Sequence, residues 1–179
     1  MDMLRLISGM LTVFLAVLLL RAAWHKAQSF LETTGFVADY GLVPPGREAL
    51  VTRALIGLEA LAVALLVLPA TRVAGALLAA ALLAGYGAAM ALALRAGKTR
   101  IDCGCGGTPQ FVSGLTIGRN AVLAALALWL AALPAGPMGG AMAALVTVLA
   151  GLTLWAIYGT VEKLLANFGH ILAVGPRRS

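Results

Sequence analysis

Both cysteines of the chain fall within Ile101-Asp102-Cys103-Gly104-Cys105-Gly106-Gly107, separated by a single glycine. Cα atoms two residues apart come near the window of about 4.4–6.8 Å that a disulfide accepts, with strain in the small ring that results. Glycine between and after the pair relaxes the backbone limits that would forbid such a turn. Strained disulfides are the labile, exchanging kind, whereas structural ones resist reduction, so Cys103 and Cys105 point to thiol–disulfide exchange. Two other readings stand beside this one. Thiolates suit a soft ion such as Cu(I), which would make the chain a copper carrier, but two sulfurs alone leave a coordination shell incomplete and no metal ligand set is assigned. The pair also fits an inert brace in the docking loop of a non-catalytic membrane chaperone or adaptor.

A thiol attacks as thiolate, and nearby cations favour that form. Arg95, Lys98 and Arg100 precede the pair, and Arg119 follows it, beside Asn120 in the first turns of an apolar run. Glu59 is the one carboxylate inside an apolar run. An ionisable group at membrane depth faces the bundle interior and has a partner, and Arg21, near the end of the first apolar run, is the expected one. Glu59 is read either as a proton acceptor or donor beneath the cysteines or as half of an ion pair that fixes helix register. His25 offers an imidazole suited to proton transfer, and Lys26 is read as a snorkelling anchor or a second cation near the pair. His170 has no motif around it.

These residues need elements to hold them. Of 179 residues, 61% are hydrophobic and 11% charged, too few charges to cover a globular surface in water. That excludes a soluble enzyme, a disordered tail and, with two cysteines, a secreted disulfide scaffold. The formal net charge of +6 does not signal nucleic acid, because the basic residues stand singly at the ends of apolar runs, as membrane-flanking anchors do. Crossing about 30 Å of hydrocarbon takes around 20 apolar residues. The sequence predicts an all-α polytopic transmembrane bundle of four to five spans, at about 6–24, 54–69, 73–95, 115–133 and 138–161, in a single integral-membrane domain over 1–179. The first span is read as a retained helix rather than a cleaved signal, since its basic end follows the apolar region. The last two spans are separated by Pro134-Ala-Gly-Pro-Met-Gly-Gly, which breaks a helix. Small residues along the third and fifth spans (Gly75, Ala79, Gly85, Gly87, Ala89; Ala141, Ala144, Gly151) are read as bundle packing.

Two connections are long, 25–52 and 96–114, and alternation of crossings places both on the same membrane face. The first contains Phe30, Leu31, Phe36 and Val37, which read as a segment in the interface, followed by Tyr40 and the turn Leu42-Val43-Pro44-Pro45-Gly46. The second holds the cysteines.

Arg21 with His25-Lys26, then Tyr40-Gly-Leu-Val-Pro44, Glu59, Asp102-Cys103-Gly-Cys105-Gly, and Arg119-Asn120 together resemble the methylamine-utilisation MauE family and its DoxX-like relatives, over about residues 15–133. The family often has an aromatic residue where Gly106 stands. The resemblance implies a multi-pass bacterial inner-membrane protein that works beside a thioredoxin-like extracytoplasmic partner and supports maturation of a disulfide-rich substrate protein. Carried over, it makes Cys103 and Cys105 the exchanging pair and Glu59, Lys26 and Arg119 supporting polar residues. A membrane quinone is compatible with a redox role in lipid, but no residue pattern establishes a pocket for one.

Charge counting and the resemblance disagree on orientation. With five spans, eleven basic residues lie on the cysteine-bearing face, and only Arg5 and Arg72 on the other, so positive-inside counting assigns the cysteines to the cytosol. The resemblance assigns them outside, and that is the orientation expected here.

Overall fold

The computed structural model describes residues 3–98, 112–134 and 140–174, with the side chains of the last helix through residue 164. These residues form six helices and, among the described residues, no strand: α1 (Met3–Gln28), α2 (Phe30–Tyr40), α3 (Glu48–Val67), α4 (Arg72–Arg95), α5 (Gly114–Ala132) and α6 (Ala141–Val174). All but α2 are long and apolar enough to cross a membrane. The chain is a multi-pass membrane protein, with five candidate spans among the described residues.

The spans lie where the apolar runs predict them, with longer ends. α1 continues past Trp24 to Gln28, so His25 and Lys26 belong to its last turn rather than to a loop. α3 begins at Glu48, six residues before the expected start, which sets Glu59 three turns into the helix. α6 runs thirteen residues beyond the expected 161. At the end of α1 and the start of α3 the added residues are helical because the run already supplies the adjoining turns, and propagation adds a hydrogen bond per residue.

Local chemistry fixes the turns. α2 ends at Gly41, whose φ of +67° is left-handed, before Pro44-Pro45-Gly46. α4 ends in a Schellman motif: Lys98 N–H donates to Ala93 C=O and Gly97 N–H to Leu94 C=O, both at 3.0 Å, with Gly97 at φ +75°. α5 opens on a capping box in which Ser113 and Thr116 each accept from the other's backbone N–H.

The buried core joins Leu11, Leu15 and Leu19 of α1, Ala62 and Leu66 of α3, Ala76 and Leu83 of α4, and Ala127 and Leu130 of α5. α4 packs most extensively on α5, α1 on α3 and α6, and α2 rests against α3. The outer surface carries Leu58, Leu61, Leu77, Val122, Leu128 and Leu149 exposed, the pattern of a lipid-facing wall. Two glycines permit close approach: a Cβ at Gly75 would stand 2.6 Å from Leu66 N, and one at Gly151 would stand 2.6 Å from Val13 Cβ. Gly85 does not behave this way, since a Cβ there meets nothing within 4 Å.

Candidate functional site

The last turn of α1, the middle of α3, the C-terminal half of α4 and the first turns of α5 meet at one end of the bundle. Glu59 is fully buried there and Lys26 nearly so. The Lys26 ammonium donates to Glu59 Oε1 at 2.8 Å, and the Tyr86 hydroxyl donates to the same oxygen at 2.7 Å. Lys26 Nζ also stands 5.2 Å from the centroid of the Tyr86 ring, within cation–π range. Glu59 Oε2 is buried and has no hydrogen-bond partner among the described residues. A second ion pair lies alongside, between Arg119 of α5 and Glu162 of α6.

Arg21, Lys26, Glu59, Tyr86, Arg119 and Asn120 all line one cavity of about 40 Å³. That is room for water. The arrangement therefore has what proton handling needs: a carboxylate with one oxygen held by two donors, a second oxygen uncommitted, and adjoining space.

Four of the residues singled out in the sequence are thus brought together. Their pairing differs from expectation: Glu59 is held by Lys26, and Arg21 instead lies over Trp155 of α6, 5.9 Å from the ring centroid. The reason is helical periodicity. At 3.6 residues per turn, positions five apart point about 140° away from each other, so when Lys26 faces α3, Arg21 faces α6. Lys26 is accordingly buried against a carboxylate rather than snorkelling to the interface. His25 does not line this cavity, and its half-buried ring leaves Nδ1 without a hydrogen-bond partner among the described residues. Cys103 and Cys105 lie outside the described residues, as does Arg100. The described chain stops at Lys98 and resumes at Val112 on this same end. Lys98 Nζ donates to the carbonyls of Asp39 and Tyr40 at 2.7 and 3.2 Å, closing the C-terminus of α2, and Val112 is buried with Met90 and Ala93 of α4.

Sequence reasoning missed Tyr86 and Glu162. Tyr86 had a visible signal, a hydroxyl in the middle of an apolar run where it needs an acceptor. Glu162 stands one residue past the expected end of the fifth span, and only the extension of α6 brings it to Arg119.

The family model described as methylamine utilisation protein MauE matches residues 3–133. The chain is 38% identical to the methylamine utilization protein MauE of Paracoccus denitrificans over 151 residues, 83% of this chain and 81% of the relative. It is 39% identical to the MauE of Paracoccus versutus over 162 residues, 89% and 87% of the two chains. The MauE of Methylophilus methylotrophus is 34% identical over 161 residues, 88% and 84%. No solved structure matches the chain. With a family model covering well over half its length and relatives aligned over most of theirs, this chain belongs to the MauE family.

Proposed function

We propose that this chain is an inner-membrane thiol–disulfide exchange protein of methylamine utilisation, a single integral-membrane domain that supports the maturation of a disulfide-containing extracytoplasmic protein. Cys103 and Cys105 are the exchanging pair, and a thioredoxin-like protein is the partner on the same side of the membrane. The observation that carries this reading is the buried Lys26–Glu59–Tyr86 centre at the end of the bundle from which the cysteine-bearing connection leaves and to which it returns. A structural ion pair alone has no use for an uncommitted carboxylate oxygen beside a cavity, whereas proton transfer to and from thiols does.

In exchange, a thiolate of the partner attacks one sulfur of the Cys103–Cys105 disulfide and forms a mixed disulfide. The partner's second thiolate then displaces the cysteine, leaving the partner oxidised and the pair reduced. Lys26 and Arg119 provide positive charge at this end, and Glu59 exchanges the proton that each departing thiolate takes up. The Cys-x-Cys loop and both long connections stand on the extracytoplasmic face. Arg21 and His25 take lesser parts: Arg21 fixes α6 against α1 through Trp155, and His25 lies outside the polar centre.

The test is to replace Cys103 or Cys105 by serine and follow the redox state of the extracytoplasmic partner by thiol trapping. Each single variant is expected to leave the partner reduced. A partner that stays normally oxidised in both variants contradicts the proposal and favours the brace of a non-catalytic adaptor. Metal content that follows the two thiols would favour a soft-metal carrier.

A further inference from the structure

A second cavity, of about 330 Å³, adjoins the polar centre between α2, α3 and α4. That volume falls at the lower end of small-molecule sites. One wall is a stripe of small residues on α4, Ala81, Gly85 and Ala89, which recur every fourth position and so share a face. Gly85 makes no close helix contact: the space a Cβ would occupy there meets no atom of the described residues within 4 Å. The opposite wall carries Phe36 and Tyr40 of α2, a helix clamped by Lys98. The lining is overwhelmingly apolar, yet Lys26 and Tyr86 border both cavities and bring the polar centre to its inner end. An ammonium has three N–H donors, and the carboxylate of Glu59 takes one of them.

A site with a flat small-residue wall, an aromatic wall and a buried N–H donor at one end fits a planar apolar ring that carries an acceptor oxygen. We propose that this cavity seats the ring of a membrane quinone, stacked between α4 and α2, with one quinone carbonyl oxygen accepting from the Lys26 ammonium. A phospholipid acyl chain would fill the apolar volume but leave that donor without a use. The redox consequence rests on the thiol-exchange reading above, while the binding site itself does not. When the Cys103–Cys105 dithiol closes, two S–H bonds break and one S–S bond forms. The two electrons and two protons released are the complement that converts a quinone to its quinol.

The test uses the full chain in phosphatidylcholine nanodiscs and an azido-benzoquinone bearing a decyl tail as photolabel. Labelled peptides from α2 and α4, displaced by unlabelled decyl-benzoquinone and not by oleate, are expected. Gly85→Leu fills the cavity from an open position and is expected to lower labelling at least tenfold with the thermal unfolding midpoint unchanged. Lys26→Met should lower it further still. Labelling that survives Gly85→Leu, or that oleate displaces equally well, overturns the site in favour of a lipid-filled groove. A Cys103→Ser/Cys105→Ser chain should label like the wild type. If the wild-type dithiol then fails to reduce the bound quinone, the electron transfer from dithiol to quinone falls while the site stands.

Discussion

Arg72 and Lys26 are cations buried to the same degree at opposite ends of one bundle, and their surroundings differ in kind. Arg72 donates to Ser8 Oγ at 2.5 Å, to Leu130 C=O at 3.1 Å and to Leu133 C=O at 2.6 Å. Those carbonyls belong to the end of α5, where Pro134 prevents the helix from continuing and the last C=O groups lack intrahelical donors. Arg72 supplies them, complements the negative end of the helix dipole and ties α1, α4 and α5 together. Lys26 instead meets a carboxylate, and that carboxylate keeps one oxygen uncommitted beside a cavity. A buried cation held by main-chain carbonyls has no proton acceptor among those partners and serves the fold. One held by a titratable acid next to open space can serve chemistry.

The sharpest way to break this comparison is to remove half of the charged pair. Glu59→Leu alone leaves the Lys26 ammonium uncompensated in a lipid-spanning bundle and is expected to cost about 3–5 kcal/mol of stability, read by equilibrium unfolding in detergent micelles. The double variant Lys26→Met/Glu59→Leu should recover most of that stability and still fail in thiol exchange. Recovery of both would make the pair purely structural.

Tyr86→Phe removes one hydrogen bond to a charged acceptor, for an expected loss of about 1.5–3 kcal/mol together with slowed exchange. At the other end, Arg72→Met should cost about 1–3 kcal/mol by leaving the α5 carbonyls unsatisfied, with the rate of exchange per folded molecule unchanged. A loss of exchange beyond the loss of folded protein in Arg72→Met would erase the distinction between the ends. The smallest effect is at the N-cap of α5: Ser113→Ala removes half of the capping box for about 1 kcal/mol, seen as a lower unfolding midpoint.

The division between the two ends also shows what a sequence can carry. The five spans were legible because crossing hydrocarbon demands long apolar runs; the segment with Phe30, Leu31, Phe36 and Val37 was legible only as one that seeks an apolar surface, and it forms the helix α2 packed on α3. Glu59 was legible as a buried group because a carboxylate in such a run must be satisfied. Its partner was not. Lys26 looks like an anchor when the apolar run is taken to end at Trp24, and only the extra turn of α1 carries it into the interior. Arg72 likewise reads as a bracket to the third span, and nothing in the residue order tells that it closes α5, sixty residues away. Gly75 and Gly85 are alike in a list of small residues. One touches the backbone of α3 and the other faces a cavity, a difference set by which neighbour the helix face meets.

Lys26, Lys98, Arg119 and Arg72 each hold an internal contact, but leaving them out removes three basic residues from the cysteine-bearing face and one of the two from the other, so the positive-inside count keeps its sign.

The most direct test of the central claim is acid-quenched trapping of Cys103 and Cys105 in intact cells with a membrane-impermeant maleimide, in wild type, Glu59→Gln and Arg72→Lys. A mixture of thiol and disulfide that labels from outside is expected, shifted in Glu59→Gln and unshifted in Arg72→Lys. A pair that stays oxidised under mild reductant in all three chains, or that labels only in inverted membranes, would contradict it.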